Sequence, residues 1–399
     1  MAHANTNLQA PGKLNVTKNF KVMYYAASFV GLIAFVFTLI MNQERAWHAF
    51  LVGFFYFTSL AMGGFFFTSV HHLTAAGWNV NIRRISEAFT NFLPLALIAG
   101  VVLLAGIYYL FEWLHPEAVQ TDYLLQHKRS YLNQPFFIIR FLGCLVLWVL
   151  LAKKMVSNSV KQDETGDHKL TLKNVPLSVA SIFVFAITYS MFSVDTLMSL
   201  APHWFSTIFG IYTFAGLFQS TIAAMILMIL YIKKNGQLSG YVTEDHLHDL
   251  GKYLFGFTVF WAYIAYSQYM LIWYANIPEE TFFFIDRTKG PWVYVSISLI
   301  LFKFIVPFFA LLPRWAKRTP AHLAAVSVLI LIMQFVDIFW LVYPSYNAES
   351  ITFGVPEVLI FFGFMGLFLF AVSRFLQKNN LVPVKDPRIE ESLHHHVVY

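Results

Sequence analysis

The sequence predicts an all-α, polytopic membrane protein of ten transmembrane helices: two repeated four-helix bundles plus two peripheral helices. Three observations predict it. Of 399 residues, 58% are hydrophobic and only 12% charged, about half the charged share of a soluble domain. Apolar runs of about 20 residues, the length that crosses about 30 Å of hydrocarbon, recur ten times. Two short motifs also recur at a distance of four helices.

The runs cover roughly 22–41, 49–70, 92–112, 135–152, 176–198, 204–232, 253–275, 291–312, 322–343 and 355–376. The polar start, MAHANTNLQAPGKLNVTKNFK, has no early apolar core, so the first run is expected to stay as a membrane anchor. Gly77, Pro116, Gly166, Pro202, Gly236, Pro278, Pro313 with Pro320, and Pro344 punctuate the intervals. The division that follows is a tail over 1–21, a peripheral helix over 22–46, a first bundle over 47–202 and a second over 203–350. A tenth, peripheral helix over 351–378 and a tail over 379–399 complete it.

Lys and Arg set the orientation. The tails and the intervals after the second, fourth, sixth and eighth runs hold 20 of them. The opposite intervals hold five, Arg45, Lys128, Arg129, Arg287 and Lys289. By the positive-inside rule both termini are expected in the cytoplasm. The net charge of +6 is then a topology signal and gives no reason to expect a nucleic-acid partner.

The fifth run ends in Val194-Asp195, six residues and Pro202; the ninth ends in Val336-Asp337, six residues and Pro344. Trp47, Gly53 and Phe57 in the second run match Trp204, Gly210 and Phe214 in the sixth. Runs two to five and six to nine therefore read as related bundles, and the even helix shift makes the repeat parallel.

Two cations fall inside the runs, Arg140 and Lys303. An ionised side chain at the bilayer centre costs roughly 2.5–3.5 kcal/mol on insertion scales, so each needs a partner. Arg140 lies about 8 Å from the outer end of its helix at 1.5 Å per residue, a depth that Asp195 shares; Lys303 lies about 18 Å down, and Asp337 about 10 Å. The expected pairs are Arg140 with Asp195 and Lys303 with Asp337, as register-pinning salt bridges or as parts of a proton path. Glu112 and His203 near the outer boundary, and His71 and His72 near the inner one, are candidate mouths of two half-channels, against the plainer reading of solvated helix ends.

The lone Cys144 argues against a disulfide framework, a cysteine-bound iron–sulfur cluster and a c-type haem. His48 and His203 share a depth, but neither has a second His deeper in its helix, so no b-type haem is expected. No covalently bound cofactor or metal is expected. An aromatic cleft would suit a quinone ring.

The stretch Ser193-Val-Asp-Thr-Leu-Met-Ser-Leu-Ala-Pro-His-Trp-Phe-Ser-Thr-Ile-Phe-Gly-Ile-Tyr212 resembles the junction of helices five and six in the large membrane subunits of bacterial alternative complex III, specifically the second, shorter one. That family belongs to the polysulphide-reductase membrane-subunit superfamily, built from two four-helix bundles with flanking helices. The resemblance implies a subunit of a quinol:cytochrome c, or oxidase-linked, oxidoreductase of the bacterial inner membrane, not catalytic alone. Its redox groups would sit in other subunits, and the partners it implies are an iron–sulfur protein, c-type cytochromes, a homologous membrane subunit, lipids and a terminal oxidase. Quinone or menaquinone is the ligand it implies. Family members often carry an acidic residue before Pro-His-Trp, where this chain has Ala201, so no outer carboxylate role is expected there. The competing readings are a secondary transporter with its site between the repeats and a structural membrane anchor.

Overall fold

Side-chain caps start the first two long helices. Thr17 Oγ1 accepts from the Phe20 amide (3.3 Å) ahead of α1, Lys18–Met41, and Asn42 Oδ1 accepts from the Arg45 amide (2.9 Å) ahead of α2, Gln43–Leu73. The computed structural model describes residues 11–396, so residues 1–10 and 397–399 of the two expected tails lie outside the described residues. Among the described residues there are helices and turns and no strand. The other long helices are α3, Val80–Leu103; α4, Gln134–Thr165; α5, Lys169–Thr196; and α6, Phe209–Lys234. They continue as α7, Glu244–Ala275; α8, Trp292–Leu311; α9, Pro320–Val342; and α10, Val355–Lys378.

Both described ends of the chain meet on one face. The Leu14 amide donates to the Leu376 carbonyl and the Leu381 amide to the Gly12 carbonyl, each at 2.9 Å. The start of α3, the end of α4 and the turns after α6 and α8 gather there too, through Arg83–Asp386 (2.5 Å), Lys385 to the Glu164 carbonyl (2.8 Å), Gln237 to the Lys13 carbonyl (2.7 Å) and Arg318–Asp245 (3.0 Å). On the opposite face lie the short helices of 107–128, the helix Pro278–Thr288, and Arg45 paired with Glu357 at 2.7 Å.

Nine helices among the described residues are long and apolar enough to cross a membrane, where the sequence predicts ten. The difference is α7. It is 32 residues long and runs between the same two faces, from Asp245 beside Arg318 to Tyr269 beside Phe284 of Pro278–Thr288. Tyr263, Tyr266, Gln268 and Tyr269 lower its hydropathy, so it falls short in composition and not in length.

The third run is also displaced. It is expected over 92–112, but α3 begins at Val80, bends at Asn91–Phe92 and ends at Leu103. Pro94 cannot donate to Thr90, which accounts for the bend. Arg83 and Arg84, expected in a loop, are therefore buried helix residues.

α2 forms the axis of the molecule and is buried along nearly its whole length. Glycines let its neighbours approach: a Cβ at Gly64 would meet the Ser86 carbonyl at 2.6 Å, and Gly63 lies against Thr221. The flanking pair α1 and α10 crosses at Gly31 and Gly363, whose backbones touch. Without a hydrophobic force between helices in lipid, such close contact is what holds them together. Gly31→Leu is accordingly expected to part α1 from α10 and to lower stability by at least the roughly 1–3 kcal/mol of an overpacked core, read as a lower melting temperature in detergent; Phe29→Leu, at an exposed position, should leave it unchanged.

Candidate functional site

Lys303 stands in an unusual part of its helix. Residues Leu299–Ile305 of α8 form a π-helical turn, in which the Val306 amide reaches back five residues to the Leu301 carbonyl. Pro307 has no amide to give the Lys303 carbonyl, so the regular ladder is already interrupted here. The turn places the Lys303 side chain, fully buried, against α9. There its Nζ donates to Asp337 and to Gln334 Oε1 (2.6 Å).

Asp337 collects three donors. Besides Lys303, the Tyr212 hydroxyl on α6 donates to Oδ1 and Trp261 Nε1 on α7 to Oδ2 (3.2 Å). The Lys303 ammonium also lies 4.5 Å from the centre of the Trp261 ring, a cation–π contact. Gly216 makes room for the pair's second acceptor, since a Cβ there would meet Gln334 Oε1 at 2.8 Å. Four helices thus converge on one carboxylate.

A cavity of about 480 Å³ adjoins the cluster. Tyr212 and Trp261 form part of its wall, and Gln268, Tyr269, Phe284 and Trp340 line it further. On its outer side Arg287 is buried and has the carbonyls of Trp340 and Leu341 as acceptors, each at 3.1 Å, with its guanidinium 3.5 Å from the Phe283 ring centre. It caps the C-terminal end of α9, where the helix dipole favours a cation. Burial pulls Arg287 down to about 9 from the usual arginine value.

The other pair is built differently. Arg140 on α4 grips Asp195 on α5 through two parallel bonds of 2.9 Å, Nε to Oδ2 and Nη2 to Oδ1. The rings of Tyr131 and Phe136, set edge to face, lie with their centres 3.8 and 4.2 Å from the guanidinium. This is the fork geometry of a strong carboxylate pair.

The remaining candidates are not drawn into either cluster. Glu112 is exposed in the short turn Glu112–Leu114 and, among the described residues, makes no ion pair. His203 Nε2 lies 2.5 Å from Asp122 Oδ2, partly exposed, and its hydrogen bond holds that carboxyl below the usual carboxylate value. His48 donates to the Glu44 carbonyl at 2.8 Å. His71 and His72 are buried in the last turn of α2 near the terminal face; His71 bonds the Phe67 carbonyl (2.8 Å), and Asn174 faces His72 at 3.5 Å. Among the described residues no three His, Cys, Asp or Glu side chains converge as a metal site.

Beside these histidines lies a buried network. Arg83 pairs with Asp386 (2.5 Å) and Glu87 (3.3 Å), Arg84 with Glu87 (2.6 Å) and Asp163 (2.7 Å), and Ser159 donates to Glu87 (2.7 Å). Only its local part, an Arg three and four residues before Glu87 on one helix face, carries a signal in the sequence. Burial would push the Asp386 carboxyl up, but the Arg83 guanidinium outweighs it and the net effect is downward.

Lys303→Met or Asp337→Leu alone strands a buried charge and should cost about 3–5 kcal/mol, while the double variant should recover most of it; denaturant titration in detergent measures both. Asp386 binds fewer protons folded than unfolded, so its stabilising effect is complete above the unfolded value of about 3.9 and is lost as pH falls through the lower folded value. The docked C-terminal segment should therefore loosen below about pH 4, seen as faster amide exchange at Leu381 and Val382, and Asp386→Asn should show the same loosening at neutral pH.

A scan of family models and a search of curated proteins find no match to this chain.

Proposed function

We propose that the chain is a non-redox integral subunit of a quinol:cytochrome c, or oxidase-linked, oxidoreductase, of the type of the shorter large membrane subunit of alternative complex III. In this reading it lies in the bacterial inner membrane with both termini cytoplasmic, beside iron–sulfur and c-type cytochrome subunits and a homologous membrane subunit. The carrying observation is the Lys303–Asp337 pair, buried with Tyr212 and Trp261 against an aromatic cavity of about 480 Å³. Intramembrane ionisable groups that face a cavity commonly serve proton transfer. The cavity also fits a quinone ring: its walls are aromatic, and Tyr212 and Trp261 belong both to it and to the carboxylate's donors. Asp337 would hold or release a proton there, and Lys303 would stabilise its charged form.

Ten spans, with α7 as the tenth, and a parallel repeat of α2–α5 and α6–α9 belong to the same proposal. In both halves the third helix supplies a cation, Arg140 or Lys303, and the fourth an aspartate, Asp195 or Asp337. A secondary transporter is the second reading, favoured by the π-helical interruption within α8.

Gentle solubilisation with mass analysis separates the two, because the complex reading requires co-purifying cytochrome and iron–sulfur subunits. In such an assembled complex Asp337→Asn is expected to impair quinol oxidation and proton release more than Asp195→Asn, since Lys303 lies deeper, where no bulk water replaces a lost carrier. Wild-type rates and proton yield in Asp337→Asn would leave a structural salt bridge as the better account.

A further inference from the structure

A second cavity, of about 600 Å³, lies between α10 and the α6–α9 pair and has no part in the Lys303 site. It is a groove open on one side. Tyr56 on α2 and Phe89 on α3, both buried, form its back, and Met228, Phe361 and Leu369 its sides. At its terminal-face end the rings of Phe20 and Tyr231 stack at 5.0 Å and make a sill.

Charge stands beside that sill. Lys21 follows Phe20 on α1, and Lys234 lies three residues, one helical turn, after Tyr231 on α6. No Asp or Glu occurs from Lys13 to Gln43, from Trp204 to Thr243 or from Val358 to Lys385. Among the described residues neither lysine forms an ion pair within the chain.

The size of the groove limits its occupant. Along α10 it extends from Val358 to Leu369, about 16 Å at 1.5 Å per residue. Its length and apolar walls suit an unbranched hydrocarbon chain. An uncharged isoprenoid tail would fill the groove but leave the two ammonium groups without a counterion.

We propose that this groove holds an acyl chain of an anionic phospholipid whose headgroup phosphate sits against Lys21 and Lys234. The groove's apolar walls take the chain out of competition with bulk lipid, and the lysines select the headgroup charge.

Native mass spectrometry of the full-length chain, stripped of lipid in mild detergent and offered equal amounts of dioleoyl phosphatidylglycerol and phosphatidylcholine, tests it. The expected result is one phosphatidylglycerol adduct retained several-fold over phosphatidylcholine. Ala224→Trp, which fills the groove from α6, should lose the adduct of either lipid. Lys21→Gln with Lys234→Gln should keep an adduct but level the two lipids; these side chains lie at the periphery, so this variant decides the matter if Ala224→Trp does not fold. Equal retention of the two lipids by the unaltered chain would overturn the proposal, as would an adduct that survives Ala224→Trp in folded protein or one displaced by an uncharged quinone.

Discussion

The Lys303 ammonium and the Asp337 carboxylate lie where an unpaired charge costs several kcal/mol, so the helices that carry them are held in one register. Because Asp337 also accepts from Tyr212 and Trp261, α6, α7, α8 and α9 are all fixed relative to a single carboxylate. Aromatic rings pack beside it and around the adjoining cavity, each pair contributing about 0.5–1.5 kcal/mol beyond its buried area; stranding a buried charge costs about 3–5 kcal/mol.

The same constraint works at the terminal face. Arg83 and Arg84 bring α3 into contact with α4 through Asp163 and with the C-terminal segment through Asp386. Leu381 and Val382 of that segment are buried, and His395 reaches Asp249 at 2.6 Å on α7. What reads in the sequence as a basic loop and a polar tail is a docked part of the structure, and the His394 to His396 run takes part in it.

Depth counting on the sequence is enough to bring Arg140 to Asp195 and Lys303 to Asp337, because helix rise is regular and a charge in lipid has few choices. It misses Tyr212 and Trp261, which lie on other helices and whose hydroxyl and indole groups look like any other aromatic residues of a membrane protein. It misplaces the start of α3 for a related reason: a hydropathy count treats Arg83, Arg84 and Glu87 as exposed, although partners from Ser159, Asp163 and Asp386 make their burial tolerable. Glu112 stands out by depth alone, and depth without a partner carries little information about role; His203 finds Asp122 in the intervening short helices, a partner that depth counting does not reach. The cavities are illegible in the sequence, since they arise from which helices adjoin.

The wide turn in α8 has a geometric consequence for the whole helix. Its buried residues Leu299, Lys303, Pro307 and Leu311 recur every four positions, a spacing that winds by about 40° per step around a regular helix of 3.6 residues per turn. Over three steps such a seam would rotate by about 120° and turn one end of the row toward lipid. A turn that accommodates more residues cancels part of this drift, so that the seam stays nearly straight against α9. The helix is, in effect, locally unwound to match the phase of its neighbour.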